Sequence, residues 1–443
     1  MQEIDLEALK VSIHGVVPEI GLGIVAATIV LCNLFKPLNR ISFFVAIIGI
    51  VVYLLNIGFG EAFKVIMCMS ALATIVISGR RQSMEFYLLI IFVLLGAVVL
   101  VMSTNFIMIL LSIEMISISS YVLTAGTTPD RHRAEAAWKF FIYGSVATAV
   151  MVFGMTYLYG ATGSLAFPHV DQTSLLFTVG GLMMLGGFLF KMTAAPFHLW
   201  APTVYEATPA PIVAFLSVVP KLAGFVIVVK WITSLNSTVT IAAVAILSIV
   251  VGTLAALNQT DSKRMMAYSS VAQAGFLLII PASSIHFSVA IFYATVFAIM
   301  NFVVFLVINE IEKSGKGTSF KNFSGIGNSN PLIAVCITLG LISLAGLPPT
   351  AGFMAKLFIF SGLWSKFHTS KDFIFLALFI VGLLATAASL YFYLRIPFYA
   401  FFRRSEENQP IKISLLTNLL LVILVGLLLA LFLAPGLFDG LSY

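Results

Sequence analysis

Charge is what this chain has least of. Of its 443 residues only 9% are Asp, Glu, Lys or Arg, while 60% are hydrophobic. Soluble domains carry about 25% charged residues, so a water-exposed globular fold of this size is excluded. Cysteine is nearly absent: Cys32, Cys68 and Cys336 each stand alone inside an apolar run. No pair has metal-ligand spacing, and no disulfide framework can be read. The six histidines do not cluster. No haem, iron–sulfur or nucleotide-binding motif occurs, so redox chemistry linked to this chain belongs to other chains. Basic stripes with interleaved aromatics are also missing, which argues against a nucleic-acid partner. The opening, "MQEIDLEALK", is acidic where a cleavable signal would be basic, and is expected to be a short external tail.

Apolar runs of about 20 residues recur from end to end, each long enough to cross a hydrocarbon core. Hydropathy predicts fourteen spans, near 13–34, 41–59, 61–78, 85–103, 105–124, 137–159, 176–206, 210–231, 238–257, 267–284, 287–309, 331–364, 373–401 and 413–437. The predicted fold class is an all-α polytopic membrane protein. Loop charges orient it. With the N-terminus outside, the inward side holds Lys36, Arg40, Arg80, Arg81, Arg131, Arg133, Lys139, Lys263, Arg264, Lys313, Lys316, Lys321, Arg403, Arg404 and Lys412. The outward side holds Lys10, Lys64, Lys230, Lys366 and Lys371. That asymmetry places both termini on the outer side.

Four ionisable residues remain near mid-membrane: Glu114 in "LLSIEMISISSYVL", Lys191 in "FKMTAAPFHLW", Lys221 in "FLSVVPKLAGFV" and Lys356 in "AGFMAKLFIF". A charge at that depth costs about 3 kcal/mol or more, so its default reading is functional. Burial lowers a lysine pKa and a nearby carboxylate raises it again, which suits a residue that takes and gives a proton. Ser112, Ser117, Ser119, Ser120, Thr193 and Ser217 are available to join such residues. The competing structural reading is a buried Glu114–lysine pair that locks two helices, which leaves two lysines unexplained.

Two of the spans are overlong and interrupted, the seventh by Pro196 and the twelfth by Pro348 and Pro349. Proline removes a backbone donor and clashes with the preceding turn. Broken backbone at membrane depth survives only inside protein or beside a water cavity. Paired breaks five spans apart point to inverted repeats with the transport site between them. The predicted organisation is three N-terminal helices over 1–80, a first repeat over 85–235 (helices 4–8), a second over 238–402 (helices 9–13) and a C-terminal helix in 410–443.

The motifs "FKMTAAPFHLWAPTVYEATPAPIVAFLSVVPKLAGF", "LNQTDSKRMMAYSSVAQAGF" and "LAGLPPTAGFMAKLFIF" resemble the antiporter-like membrane subunits of bacterial respiratory complex I. With "SIEMISISSYVLTAG" and "YGSVATAVMVFGMTYLYGATGS" they are most similar to the N-type subunit. The resemblance runs from about residue 80 to about residue 400. It implies fourteen helices with two inverted five-helix repeats and broken helices 7 and 12. It also implies that Glu114, Lys191, Lys221 and Lys356 form a proton relay. The long lateral helix of the L-type is not expected after Tyr443, and the M-type usually has glutamate where Lys356 stands. Glu206, near the inner surface, is expected to cap or pair locally, with proton entry as the alternative role, and Asp261, Lys263 and Arg264 to fix orientation rather than conduct protons. Pro220 departs from the pattern and is expected to shift Lys221.

The implied function is proton translocation within an NADH:quinone oxidoreductase of the bacterial inner membrane. This chain would carry no cofactor, while NADH, FMN, iron–sulfur clusters and a quinone are used by other subunits. Expected partners are the other membrane subunits of that complex, including neighbouring antiporter-like ones, the lipid bilayer and protons. A subunit of an Mrp-type Na+/H+ antiporter, a subunit of a related hydrogenase or ferredoxin-linked complex, and a non-conducting scaffold remain as alternatives.

Overall fold

A computed structural model describes residues 6–34, 41–57, 61–80, 82–127, 129–166, 174–235, 237–404 and 413–438. Lys36, Arg40, Arg81 and Lys412, and the Lys10 side chain, lie outside the described residues. The described chain is helical. It opens with α1 (Leu6–Leu34), α2 (Ser42–Asn56) and α3 (Ala62–Ser78). A first group follows: α4 (Met84–Met102), α5 (Phe106–Ala125), α6 (Arg131–Thr162), α7 (Leu175–Met192), the short α8 (Ala201–Ala207) and α9 (Ala210–Leu235). A second comprises α10 (Thr238–Leu257), α11 (Ser262–Ser283), α12 (Phe287–Lys313), the one-turn α13 (Ile326–Ser329), α14 (Pro331–Ala345), α15 (Ala351–Ser370) and α16 (Phe373–Phe402). The last helix is α17 (Leu415–Leu433). Among the described residues ten helices are long and apolar enough to cross a membrane, and four shorter apolar helices accompany them.

Three predicted starts fall short, since α1 begins at Leu6 and not near 13, and two of them do so for one reason. Hydropathy begins the sixth span at 137 and the tenth at 267, but α6 starts at Arg131 and α11 at Ser262. Charged residues fill those first turns, and hydropathy discounts them. The Asp130 side chain accepts from the N–H groups of His132 and Arg133, and Asp261 accepts from those of Lys263 and Arg264. Such caps satisfy free donors at a helix start whatever its polarity.

The two groups are built alike. In the first, α4 packs on α5, α5 on α6, α6 on α7, α7 on α9, and α9 returns to α4. In the second, α10, α11, α12, α14 and α16 follow one another in the same way, and α16 returns to α10. Each ring carries the same tie. An antiparallel bridge joins Asn105, the cap of α5, to Ala166 beyond α6; another joins Asp261, the cap of α11, to Ser319 beyond α12. Helices α9, α11 and α12 are almost wholly enclosed, whereas α6, α16 and α17 turn most of their surface outward. Leu384, Tyr391, Phe402 and Leu415 on that outer surface are exposed and apolar, as a lipid-facing wall requires.

Candidate functional site

The overlong seventh and twelfth spans are each two helices with a stop between them. Helix α7 ends at Met192, and Thr193 enters the left-handed region at φ 61°. The Thr193 N–H donates to the Phe190 carbonyl (3.1 Å) and the Ala194 N–H to Leu189 (3.0 Å). Helix α14 ends at Ala345, and Gly346 has φ 83°. Its N–H donates to Ser343 (3.0 Å) and that of Leu347 to Ile342 (3.1 Å). Both are the paired 6→1 and 5→2 closure of a Schellman cap. Three residues past each left-handed residue stands a proline in a cis peptide, Pro196 after Ala195 and Pro349 after Pro348.

The second ring helps to hold the first break: Ser248 of α10 accepts from the Ala195 N–H at 2.9 Å. Around that break His198 Nδ1, Trp200 Nε1 and Thr208 Oγ1 are buried without a hydrogen-bond partner among the described residues. Buried polar atoms of this kind call for water or for partners that move.

Each break carries a lysine at the negative end of the helix that stops there. Lys191 sits in the last turn of α7 and is buried. Lys356, on α15, reaches back across the break and donates to the Ala345 carbonyl, the last of α14, at 2.9 Å. A helix C-terminus stabilises a cation in this way. Lys356 also lies over the Phe276 ring, 4.9 Å from its centroid.

Glu114 and Lys191 are not in direct contact. The Lys191 ammonium donates to Ser117 Oγ at 2.5 Å, and the half-buried Glu114 accepts from Thr148 Oγ1 of α6 at 2.5 Å. Glu114 and Ser117 stand one turn apart on the same face of α5. A direct ion-pair lock is therefore not what joins α5 to α7; a hydroxyl stands between acid and base. Ser112, Ser117, Ser120 and Ser217 also bond their own helix backbone. Beside Lys191, a cavity with room for about one water is bounded by Ser120, Leu216 and Pro220. Pro220 lies inside α9, next to Lys221.

Lys221 is fully buried. It donates to both the carbonyl and the hydroxyl of Ser270 on α11, each at 2.5 Å, and faces the Phe297 ring at 5.2 Å. From Ser270 a polar chain runs along α11. The Tyr205 hydroxyl meets Ser270 Oγ at 3.2 Å. Ser269 bonds the Tyr393 hydroxyl at 2.5 Å, and Gln273 receives the Tyr293 hydroxyl. Gln273 donates to the Leu344 carbonyl at 3.4 Å, one residue from the carbonyl that holds Lys356. Ser269, Tyr393, Gln273 and Tyr293 thus form one hydrogen-bonded group near the end of α14, and Ser270, the next residue in the chain to Ser269, belongs with Lys221 and Tyr205. Individually they are ordinary core residues, and only "YSSVAQ" reads as a polar interruption in the sequence.

Residues 103–386 match the family described as NADH:quinone oxidoreductase/Mrp antiporter, TM. The chain belongs to this family. The "NADH-quinone oxidoreductase subunit N 2" of Chloroherpeton thalassium is 34% identical, with 94% of this chain and 91% of that protein covered. The "NADH-quinone oxidoreductase subunit N" of Trichlorobacter lovleyi is 32% identical over 90% and 89%. A chain of the structure "Respiratory complex I from Thermus thermophilus with bound Aureothin" superposes with a TM-score of 0.85 at 27% identity, over 96% of this chain and 99% of that one.

The family match begins only at residue 103, and outside it lies a charged cluster that hydropathy did not single out. Lys64, expected among the outward loop charges, is buried in α3. It pairs with Glu19 of α1 at 3.1 Å and with Glu61. Glu19 also accepts from the Tyr53 hydroxyl at 3.0 Å. Within the family segment, Glu206 pairs with Arg264 of α11 at 2.7 Å and Lys263 with Glu312 of α12 at 2.6 Å, so neither contact is local. Arg395 donates to the carbonyls of Leu257 and Gln259, closing the end of α10.

Proposed function

We propose that this chain is the proton-translocating N-type subunit of an NADH:quinone oxidoreductase in a bacterial cytoplasmic membrane, with other subunits carrying out quinone reduction. Glu114, Lys191, Lys221 and Lys356 form the relay. The observation that carries the reading is the placement of Lys191 and Lys356 at two alike helix stops, with Lys221 and the polar chain of α11 between them.

The rings of α4–α9 and α10–α16 act as inverted repeats, because five crossings return the chain to the opposite side. Lys191 holds a proton against Ser117 while Glu114 is charged one turn away. When the carboxylate is neutralised or turns away, the buried ammonium loses its compensation, and its proton passes by the cavity at Pro220 to Lys221. A path along α11 past Ser270, Ser269 and the Tyr393 hydroxyl, bridged by water, then leads to Lys356, while Gln273 orients the Tyr293 hydroxyl. The redox cofactors and the quinone belong to partner subunits, and both termini face outward, in keeping with the loop charges.

The test is Glu114→Gln in the assembled complex, reconstituted into sealed vesicles. Proton pumping and quinone reduction are both expected to fall while the complex stays assembled. Persistence of both would remove Glu114 from the relay.

A further inference from the structure

The search outside the relay leads to the three N-terminal helices. There Glu19, Lys64 and Glu61 form a buried-to-surface cluster, tied to Tyr53 and close to Lys230 and Cys68. Glu19 and Lys64 are each about 4% exposed at the side chain, whereas Glu61 is 46% exposed. One ammonium therefore serves two carboxylates, and the cluster carries one negative charge in excess when all three are ionised. Glu19 Oε1 takes both hydrogen bonds, from Lys64 and from Tyr53. Glu19 Oε2 is buried with no partner among the described residues. A buried carboxylate oxygen without a donor is costly, and a proton on it removes the charge.

The cluster also lies against α9, through the packing of α3 on that helix, which carries Lys221 mid-length and Lys230 near its end. Lys230 lies within electrostatic range of Lys64 and donates to the Val101 carbonyl at 2.5 Å. Glu61 precedes the first turn of α3, on the side to which the loop charges assign the outer surface.

We propose that Glu19, Lys64 and Glu61 form a proton-release station on the outer side, loaded from the α9 end. Glu19 holds the waiting proton on Oε2. Lys64, bonded to Glu19 Oε1, gives one Nζ proton to the Glu61 carboxylate, and once the Glu19 carboxyl turns Oε2 toward it, takes the Glu19 proton in its place. Glu61 passes its proton to water, and Glu19 is left ionised for the next. Tyr53 holds Glu19 in register without entering the exchange. This inference rests on the function proposed above.

Two readings of the complete complex in sealed vesicles test it. Infrared difference spectra should show a protonated-carboxyl band that is lost in Glu19→Gln and shifts in Tyr53→Phe, a variant that removes one hydroxyl and no charge. Protons moved per quinone reduced should fall in Glu19→Gln and in Glu61→Gln, the latter at a position too exposed to endanger folding. Absence of the band, or an unchanged ratio in both glutamine variants, overturns the proposal and leaves the cluster as a clamp between α1 and α3. Lys191→Ala separates the two levels. If it abolishes pumping while the glutamine variants change nothing, the release station alone fails. If it leaves pumping intact, the proposed relay fails first.

Discussion

In the proposed relay, Ser117 is the residue on which the acid–base coupling turns. It accepts from Lys191 and stands one turn from Glu114. Replacing it with alanine leaves a buried ammonium without its side-chain acceptor, a loss of about 1–3 kcal/mol. Ser117→Ala is expected to lower pumping and quinone reduction together, whereas Ser112→Ala, whose hydroxyl bonds only the Met108 carbonyl, is expected to leave both near wild type. Equal effects of the two would separate Ser117 from the coupling. Lys263 is a structural counterpart. Removing one partner of a buried pair costs on the order of 3 kcal/mol, so Lys263→Met should lower the thermal inactivation temperature. At this scale the sequence is readable where a charge falls mid-span, as with Glu114, Lys191, Lys221 and Lys356. It is not readable where a charge falls near a span end. Lys64 looks like a loop charge because its partner Glu19 is 45 residues away in the chain. Ser117 likewise looks like any helix serine until α7 is packed beside it.

Helix stops and close helix approaches do the positioning at the level of elements. Gly346 combines φ 83° with a Lys356 side chain that an added Cβ would meet at 2.7 Å. Gly346→Ala is therefore strained twice, in the backbone and against the lysine. It is expected to move Lys356 off the Ala345 carbonyl and to depress pumping in complexes that still assemble, measured by pumping per assembled complex. Normal pumping would show that this contact is dispensable. Helices α6 and α7 touch through Gly154 and Gly180, where an added Cβ on either would lie within 2.8 Å of the other's carbonyl. Small residues let membrane helices approach closely. Gly154→Val should therefore reduce the yield of assembled complex, while Gly426→Ala, with open space around it, should not. The breaks at Pro196, Pro348 and Pro349 were legible because the spans that hold them are overlong as well as proline-interrupted, whereas Pro220 sits inside an unbroken α9. The polar starts of α6 and α11 were not, because capping by Asp130 and Asp261 outweighs hydropathy there.

Across the whole molecule, two closed rings of helices meet along α9, α11 and α12, the most enclosed of their members. The all-helical membrane fold and the pairing of the breaks could be read from hydropathy and proline placement, while among the described residues ten helices are long and apolar enough to cross a membrane. The polar groups along α11 could not be read, since Ser269, Gln273, Tyr293 and Tyr393 meet from three separate helices and Ser270 meets Lys221 from a fourth. Lys221 joins α9 of the first ring to α11 of the second, and it is fully enclosed. The most direct measurement is proton pumping and quinone reductase rate of the reconstituted complex carrying Lys221→Met, which keeps an apolar chain of similar length in place of the cation. Parallel loss of both activities in an assembled complex is the expected result. Full retention of both would contradict a relay through this lysine.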